Sequence, residues 1–380
     1  MSRETIFVCA GGTGGHVFPG LAVADALGRL AEVDCRFLGT ARGMETRVVP
    51  ARGYPLELLT VTAMKGGGIR RAAKGALSVV GSMRSVTALF RRYSPKLVVS
   101  VGGYSAGPAA LAALAARVPL AIVEPNAVPG FTHRVLGPFA RRAYLAWDEV
   151  AERFPKGRAR VLGVPLGRAF ARVPYQTRGR RRVLVLGGSL GAQALNERMP
   201  LALGRVSRDL GGVEVVHQTG VGREAEVRGL YDRAGVAEAR CVPFLDDVAG
   251  ELAAADLVVA RAGAVSVAEI ACVGRASLLV PFPYAADDHQ LKNATLFQRR
   301  GACRLVEQER ATVDRIASDV RLVLSDDGLR ERMARAAASA GRPDAALEIA
   351  CDLVELGGLK MRSVVGDDLG GSRGRRTEVH

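Results

Sequence analysis

His16 closes the loop GGTGGH (11–16), where the apolar run TIFVCA (5–10) gives way to a helical pattern from Val17. Imidazole titrates near neutrality, with an ordinary pKa of about 6.5, so it can take a proton from a hydroxyl at physiological pH. Glycines permit tight turns and close approach of backbone to a ligand. The helix that follows offers its first N–H groups to an anion. The combination describes either a loop that holds phosphate or sugar beside a base, or a tight turn whose histidine satisfies loop backbone. A dinucleotide fingerprint would place an acid at the end of the second strand, but that strand ends in FLGTA, and a Walker A lysine is absent.

Three more segments carry polar chemistry. GGSLGA (187–192) repeats the strand–glycine–helix arrangement, and Ser189 can bond a phosphate there. RAGAVSVAE (261–269) sets Ala264 to Ser266 at a helix start and Glu269 one turn further in, where a carboxylate either accepts from both ribose hydroxyls or is a first-turn acid favoured by the helix dipole. PFPYAADDHQLKNA (281–294) gathers Asp287, Asp288, His289 and Gln290 at a strand end. No second histidine stands at ligand spacing, so sugar recognition by Gln290 fits better than a metal.

These loops need strands to hold them. Apolar runs near 5–10, 33–38, 97–101 and 120–123 each end in a glycine-rich or polar turn before a helix, the pattern of parallel strands with crossovers. Residues 155–181 turn polar, basic and Pro/Gly-bearing, which reads as a connection. The theme then restarts at 181, with strands expected at 213–217, 239–244, 256–260 and 276–282. The expected organisation is a first half at 1–160, a second at 161–356 with last helices free to return to the first half, and a disordered tail at 357–380. Ligands of open parallel sheets sit at the carboxyl ends of the strands, so two such halves make a cleft.

Composition narrows the classes. The 380 residues suit two domains. The formal charge of +15 favours anionic partners such as nucleotides, diphosphates and acidic membranes. No RNP-like motif, zinc finger or helix-turn-helix supports nucleic acid. Six cysteines without a C-x-x-C pair suit reduced thiols. The N-terminus runs straight into a strand and does not read as a signal peptide. The most apolar stretch, 108–123, is broken by Arg117 and Pro119, short of the roughly 18 residues of a membrane span. Residues 69–92 read as an amphipathic helix, with Arg70, Arg71, Lys74 and Arg84 opposite Ile69, Val80 and Met83. That helix is either a crossover lying on the sheet or a contact with a membrane surface.

In this order GGTGGHVFPGLAVA, GGYSAGP, VEPNAVPG, GGSLGAQALNE, PFLDDV, RAGAVSVAE and DDHQLKNA, spanning about 5–350, resemble the MurG family. These are the UDP-N-acetylglucosamine–lipid I N-acetylglucosaminyltransferases of peptidoglycan synthesis. The resemblance implies an α/β GT-B fold, two Rossmann-like domains facing across a cleft, and inverting transfer without a cofactor or protein-bound metal. It implies that Thr13, Gly14, Gly15 and Asn126 lie near the donor and Ser189 at its phosphates. Leu245 would line the uracil pocket, Ala264, Val265, Ser266, Val267, Ala268 and Glu269 would hold uridine and ribose, and Gln290 would meet the sugar. His16 takes the place of the base, with Glu124 the second candidate. Leu77, Val80 and Met83 fall on the membrane patch. The implied partners are UDP-N-acetylglucosamine, lipid I and the anionic cytoplasmic face of the inner membrane, with peripheral attachment. The chain departs from the family in three places: it has VEPN (123–126) for HEQN, GVPLG (163–167) for GNPVR, which moves the arginine to Arg168, and a Gly-rich C-terminal tail without a family counterpart. A transferase acting on another lipid, and a non-catalytic basic module for membrane or nucleic acid, are the other readings.

Overall fold

Runs such as ETIFVCA and LVVSVG have no polar face, and both become central strands buried on both sides. The computed structural model describes residues 3–59, 82–103, 105–177, 181–188 and 191–362. Ser189, Leu77 and Val80 lie outside them.

The first sheet holds β1 (Glu4–Ala10), β2 (Val33–Gly39), β3 (Leu56–Leu58), β4 (Leu97–Gly102), β5 (Leu120–Glu124), β6 (Arg142–Leu145) and β7 (Ala159–Val161). All pair in parallel, in the order 3-2-1-4-5-6-7. The second holds β8 (Arg182–Leu186), β9 (Glu214–Gln218), β10 (Ala239–Val242), β11 (Leu257–Ala260), β12 (Ser277–Leu279) and β13 (Cys303–Leu305), in the parallel order 10-9-8-11-12-13. The strand order reverses between β1 and β4, and again between β8 and β11. Each reversal opens a crevice at the carboxyl ends. The loops around these crevices are the four glycine motifs, after β1, β4, β8 and β11. The fold is therefore the expected pair of Rossmann-like halves.

Several helices position the site. α1 (Gly14–Leu30), α6 (Gln193–Leu210) and α9 (Ala264–Val273) follow β1, β8 and β11, so their N-termini point at the cleft. α4 (Ala106–Ala115) follows β4, and α10 (His289–Arg299) follows the loop beyond β12.

The last helix, α13 (Ala345–Gly357), leaves the second half and lies on α1, sharing one apolar cluster with it and the first sheet. Its buried Asp352 accepts from Tyr144 Oη at 2.6 Å and pairs with Arg142 at 3.1 Å and Arg160 at 2.9 Å. The expected tail is ordered for longer than sequence suggested. Arg362 N donates to Leu30 O at 2.9 Å, and Met361 bridges Ala31, so residues 358–362 continue along the first half.

The amphipathic segment is described only from α3 (82–93). There Val86 and Phe90 enter the core and Met83 lies half-buried against it, while Arg84, Arg91 and Arg92 are exposed. Met83 lies on the helix face that packs against the core, a placement that fits the crossover reading.

Candidate active site

The loop after β1 is held by a carboxylate that sequence reading missed. Glu45, fully buried at the start of α2 (Glu45–Ala51), accepts from Gly12 N at 2.8 Å and from Thr40 N at 2.9 Å. Its signal was a lone glutamate in GMETRVVP, which looks like an ordinary first-turn acid favoured by the helix dipole. Across the crevice the loop after β4 comes very close. Gly103 has φ +88°, and a Cβ there would stand 2.3 Å from Gly11 O; one on Gly102 would stand 2.7 Å from the His16 ring. Only glycine fits at either position, so Gly102 and Gly103 form the wall against which the imidazole rests.

His16 lines the cleft in the first turn of α1, beside Gly14, Gly15 and the exposed Thr13. Burial lowers its pKa; the Glu124 carboxylate and the Gly11 backbone oppose this, and His133 and His289 reinforce it. Its Nδ1 is buried and makes no hydrogen bond of good geometry. The imidazole is therefore neutral at physiological pH and able to accept a proton.

Glu124 ends β5 and is buried. Its Oε1 accepts from Asn126 N at 3.0 Å and from Asn126 Nδ2 at 3.3 Å. Its Oε2 faces Gly130 N at 3.0 Å and His133 Nδ1 at 2.8 Å. His133 Nε2 in turn meets the buried Ser100 Oγ at 3.0 Å. Burial alone would raise the pKa of Glu124, but His133 and the two backbone N–H groups outweigh it and hold the carboxyl lower than usual. Glu124 is a saturated anion that shapes the 124–130 turn and stabilises positive charge on His16. Its lone pairs are committed to that turn, which suits support rather than proton abstraction. The histidine missing from position 123 has no substitute there, because Val123 points into the opposite core cluster; His133 reaches the same carboxylate from α5 (Phe131–Leu136).

The second half supplies the facing wall. Leu245, Ala264, Val265, Ser266, Glu269 and Gln290 all line the cleft, as does Arg168, exposed on the connecting segment. Val267 and Ala268 depart from expectation: Val267 enters the core and Ala268 packs near Cys272. Successive residues of a helix turn through 100°, so this helix shows the cleft only part of its run. Burial pushes the Glu269 carboxyl up to about 8. Gln290 Oε1 accepts from Phe282 N at 3.0 Å, which fixes its amide. The loop before it holds Asp287 and Asp288 at φ of 53° and 52°, a conformation aspartate tolerates better than most residues but still strained. Asp287 reaches across to Arg134 at 2.8 Å. No metal-binding group of three or more His, Cys, Asp or Glu exists among the described residues. Ser189 lies outside the described residues; Gly188 and Gly191 line the cleft. Sequence reading also passed over Arg261, which binds Val280 O, Pro281 O and Gln308 and is pushed down to about 10 by burial and by Arg198.

The cleft between these walls measures about 3400 Å³, well beyond the ~300–1,000 Å³ of a pocket for one small ligand. A nucleotide sugar and part of a second substrate can occupy it together.

Comparison with known proteins agrees with this geometry. Glycosyltransferase family 28 models match both halves, the N-terminal domain over residues 6–145 and the C-terminal domain over 182–349. A UDP-N-acetylglucosamine--N-acetylmuramyl-(pentapeptide) pyrophosphoryl-undecaprenol N-acetylglucosamine transferase of Sorangium cellulosum is 48% identical over 93% of this chain and 88% of its own. The chain belongs to the MurG family. A Myxococcus xanthus member with the same description is 39% identical over 92% of each chain. The crystal structure of Acinetobacter baumannii MurG superposes with a TM-score of 0.77 at 30% identity, covering 93% of this chain and 99% of that one. As a MurG-family protein the chain is a glycosyltransferase, and its two sheets are the halves of that fold.

Proposed function

We propose that the chain transfers N-acetylglucosamine from UDP-N-acetylglucosamine to the 4-hydroxyl of lipid I, the undecaprenyl-pyrophosphoryl-N-acetylmuramyl-pentapeptide, with inversion at the anomeric carbon. The observation that carries this reading is the His16 imidazole lining a cleft whose other wall presents the N-terminus of α9 and the Glu269 carboxyl. The acceptor oxygen attacks the anomeric carbon while His16 takes its proton. The bond from that carbon to the UDP oxygen breaks, and its electron pair leaves on the diphosphate. The N-termini of α6 and α9 and the Ser189 hydroxyl meet that charge, so no metal is needed. Glu269 holds the ribose hydroxyls, Leu245 the uracil, and Gln290 and Asn126 the sugar. Glu124 steadies the imidazolium that forms.

No helix among the described residues is long and apolar enough to cross a membrane. The acceptor keeps its isoprenoid in the bilayer, so the protein docks peripherally on the anionic cytoplasmic face of the inner membrane. Support comes from the first half, where Phe131, Val135 and Phe139 are exposed beside Arg134 and Arg141 near the cleft mouth. Purified chain should move radiolabel from UDP-N-acetylglucosamine to lipid I in a chelator-containing buffer. Transfer to diacylglycerol instead, or UDP binding without transfer, would overturn the reading.

A further inference from the structure

Asn293 sits on α10 of the second half, one turn beyond Gln290, and is fully buried. Its Oδ1 accepts from Ala127 N of the first half at 2.8 Å. Its Nδ2 donates to Asn126 Oδ1 at 3.3 Å and to Ala262 O at 3.2 Å. Ala262 lies in the loop leading into α9, and Asn126 donates its other amide end to Glu124. One side chain therefore joins the turn after β5, the loop after β11 and the helix bearing Gln290.

We infer that Asn293 is a positioning residue that ties the two halves together at the floor of the cleft and sets the direction of the Asn126 amide. The physical basis is the cost of burial. Separating the halves leaves Ala127 N and Asn126 Oδ1 without these partners until water enters, and leaves the Asn293 amide half-satisfied. The amide of Asn126 has two possible orientations related by a flip. Glu124 accepts only from its nitrogen, and Asn293 Nδ2 donates only to its oxygen, so both neighbours select the same one. Glu124 selects that orientation within the first half, and the tie locks it against the second half when the two are closed, carrying the α9 entry loop with it. A buried amide serving only the second half would need Ala262 O alone.

The inference rests on the proposed transfer reaction in its kinetic arm only. In the full chain, hydrogen exchange at the Ala127 amide should accelerate at least ~10-fold in Asn293→Ala, while the amides of β5 stay protected. Calorimetric UDP affinity should change by less than about threefold, because the proposed uridine contacts are on the second half, whereas kcat should fall roughly 10–100-fold through misplacement of Asn126. Asn126→Ala combined with Asn293→Ala should lose no more than Asn126→Ala alone, within about twofold, as expected of residues acting through one contact. Asn293→Asp keeps the size and the acceptor for Ala127 N but cannot donate to Asn126; it should retain the exchange protection and still lose kcat. That variant decides the matter if the alanine protein does not fold. Unchanged exchange at Ala127 in the alanine variant, full kcat in either variant, or independent multiplication of the two alanine effects overturns the inference. If no transfer is detected from the parent protein, the proposed reaction fails and the exchange result still judges the tie.

Discussion

His16 and Glu124 divide the work that either could do alone, because one makes no hydrogen bond of good geometry at Nδ1 and the other is saturated. His16→Ala should cut turnover about 10²–10⁴-fold with little change in UDP affinity, the loss typical of a missing general base. The pH–rate profile should fall on its acid side below the ordinary histidine range, because burial lowers that pKa. Glu124→Gln removes a charge that raises it, so the acid limb should move to still lower pH; a limb that stays put or rises would exclude His16 as the titrating group. Glu269 gives a second pH signature. Its carboxyl is pushed up to about 8, so at neutrality the empty site holds it mostly protonated, while two ribose hydroxyls donate best to the ionised form. UDP affinity should rise between pH 6 and 9 with proton release on binding, seen as a buffer-dependent calorimetric heat. A raised carboxyl pKa also favours the folded state at low pH, and that contribution is lost as pH rises through about 8. Glu269→Gln should therefore flatten both the affinity profile and this part of the fall in Tm between pH 6 and 9.

At the scale of elements, the central strands were legible because an apolar run ending in glycine has few other meanings. β3, β6, β7 and β13 were not, since three or four residues give no period to read. The candidate site divides in the same way. His16, Glu269 and Gln290 announce themselves beside glycine or helix starts. Glu45, Asn293 and the His133–Ser100 pair owe their places to contacts 5 to 167 residues away, which no local pattern encodes. Val267 was over-read because a motif is contiguous while a helix face is not. α13 offers the clearest test of an element held by charge. Asp352→Ala strands Arg142 and Arg160 and frees Tyr144 Oη. The cost should be roughly 2–3 kcal/mol by urea unfolding, below the ~3–5 kcal/mol of a fully buried pair, because Arg160 remains 45% exposed. No change in the midpoint would mean that the apolar face alone seats the helix.

At the scale of the whole molecule, the polar ties between the halves among the described residues include Asn293 with Ala127 and Asn126, Arg134 with Asp287, and Arg300 with Asp148 at 3.5 Å, its guanidinium 4.9 Å above the Trp147 ring. The membrane reading belongs here as well. Changing Phe131, Val135 and Phe139 together to Ser should reduce flotation with anionic vesicles and slow transfer to full-length lipid acceptor, while a short-chain acceptor is still used. Salt should weaken the parent's binding in part, since screening acts on the arginines alone. Unaltered flotation would move the docking surface elsewhere. The seat of α13 has a different consequence, in time rather than space. The first half is completed by the last helix of the chain, so during synthesis the apolar side of α1 waits uncovered while the entire second half emerges. At ~5–20 residues per second that wait lasts tens of seconds. A nascent chain of this protein should therefore recruit apolar-binding chaperones throughout, and a message cut short before residue 345 yields a first domain that advertises its own incompleteness to the cell's proteases.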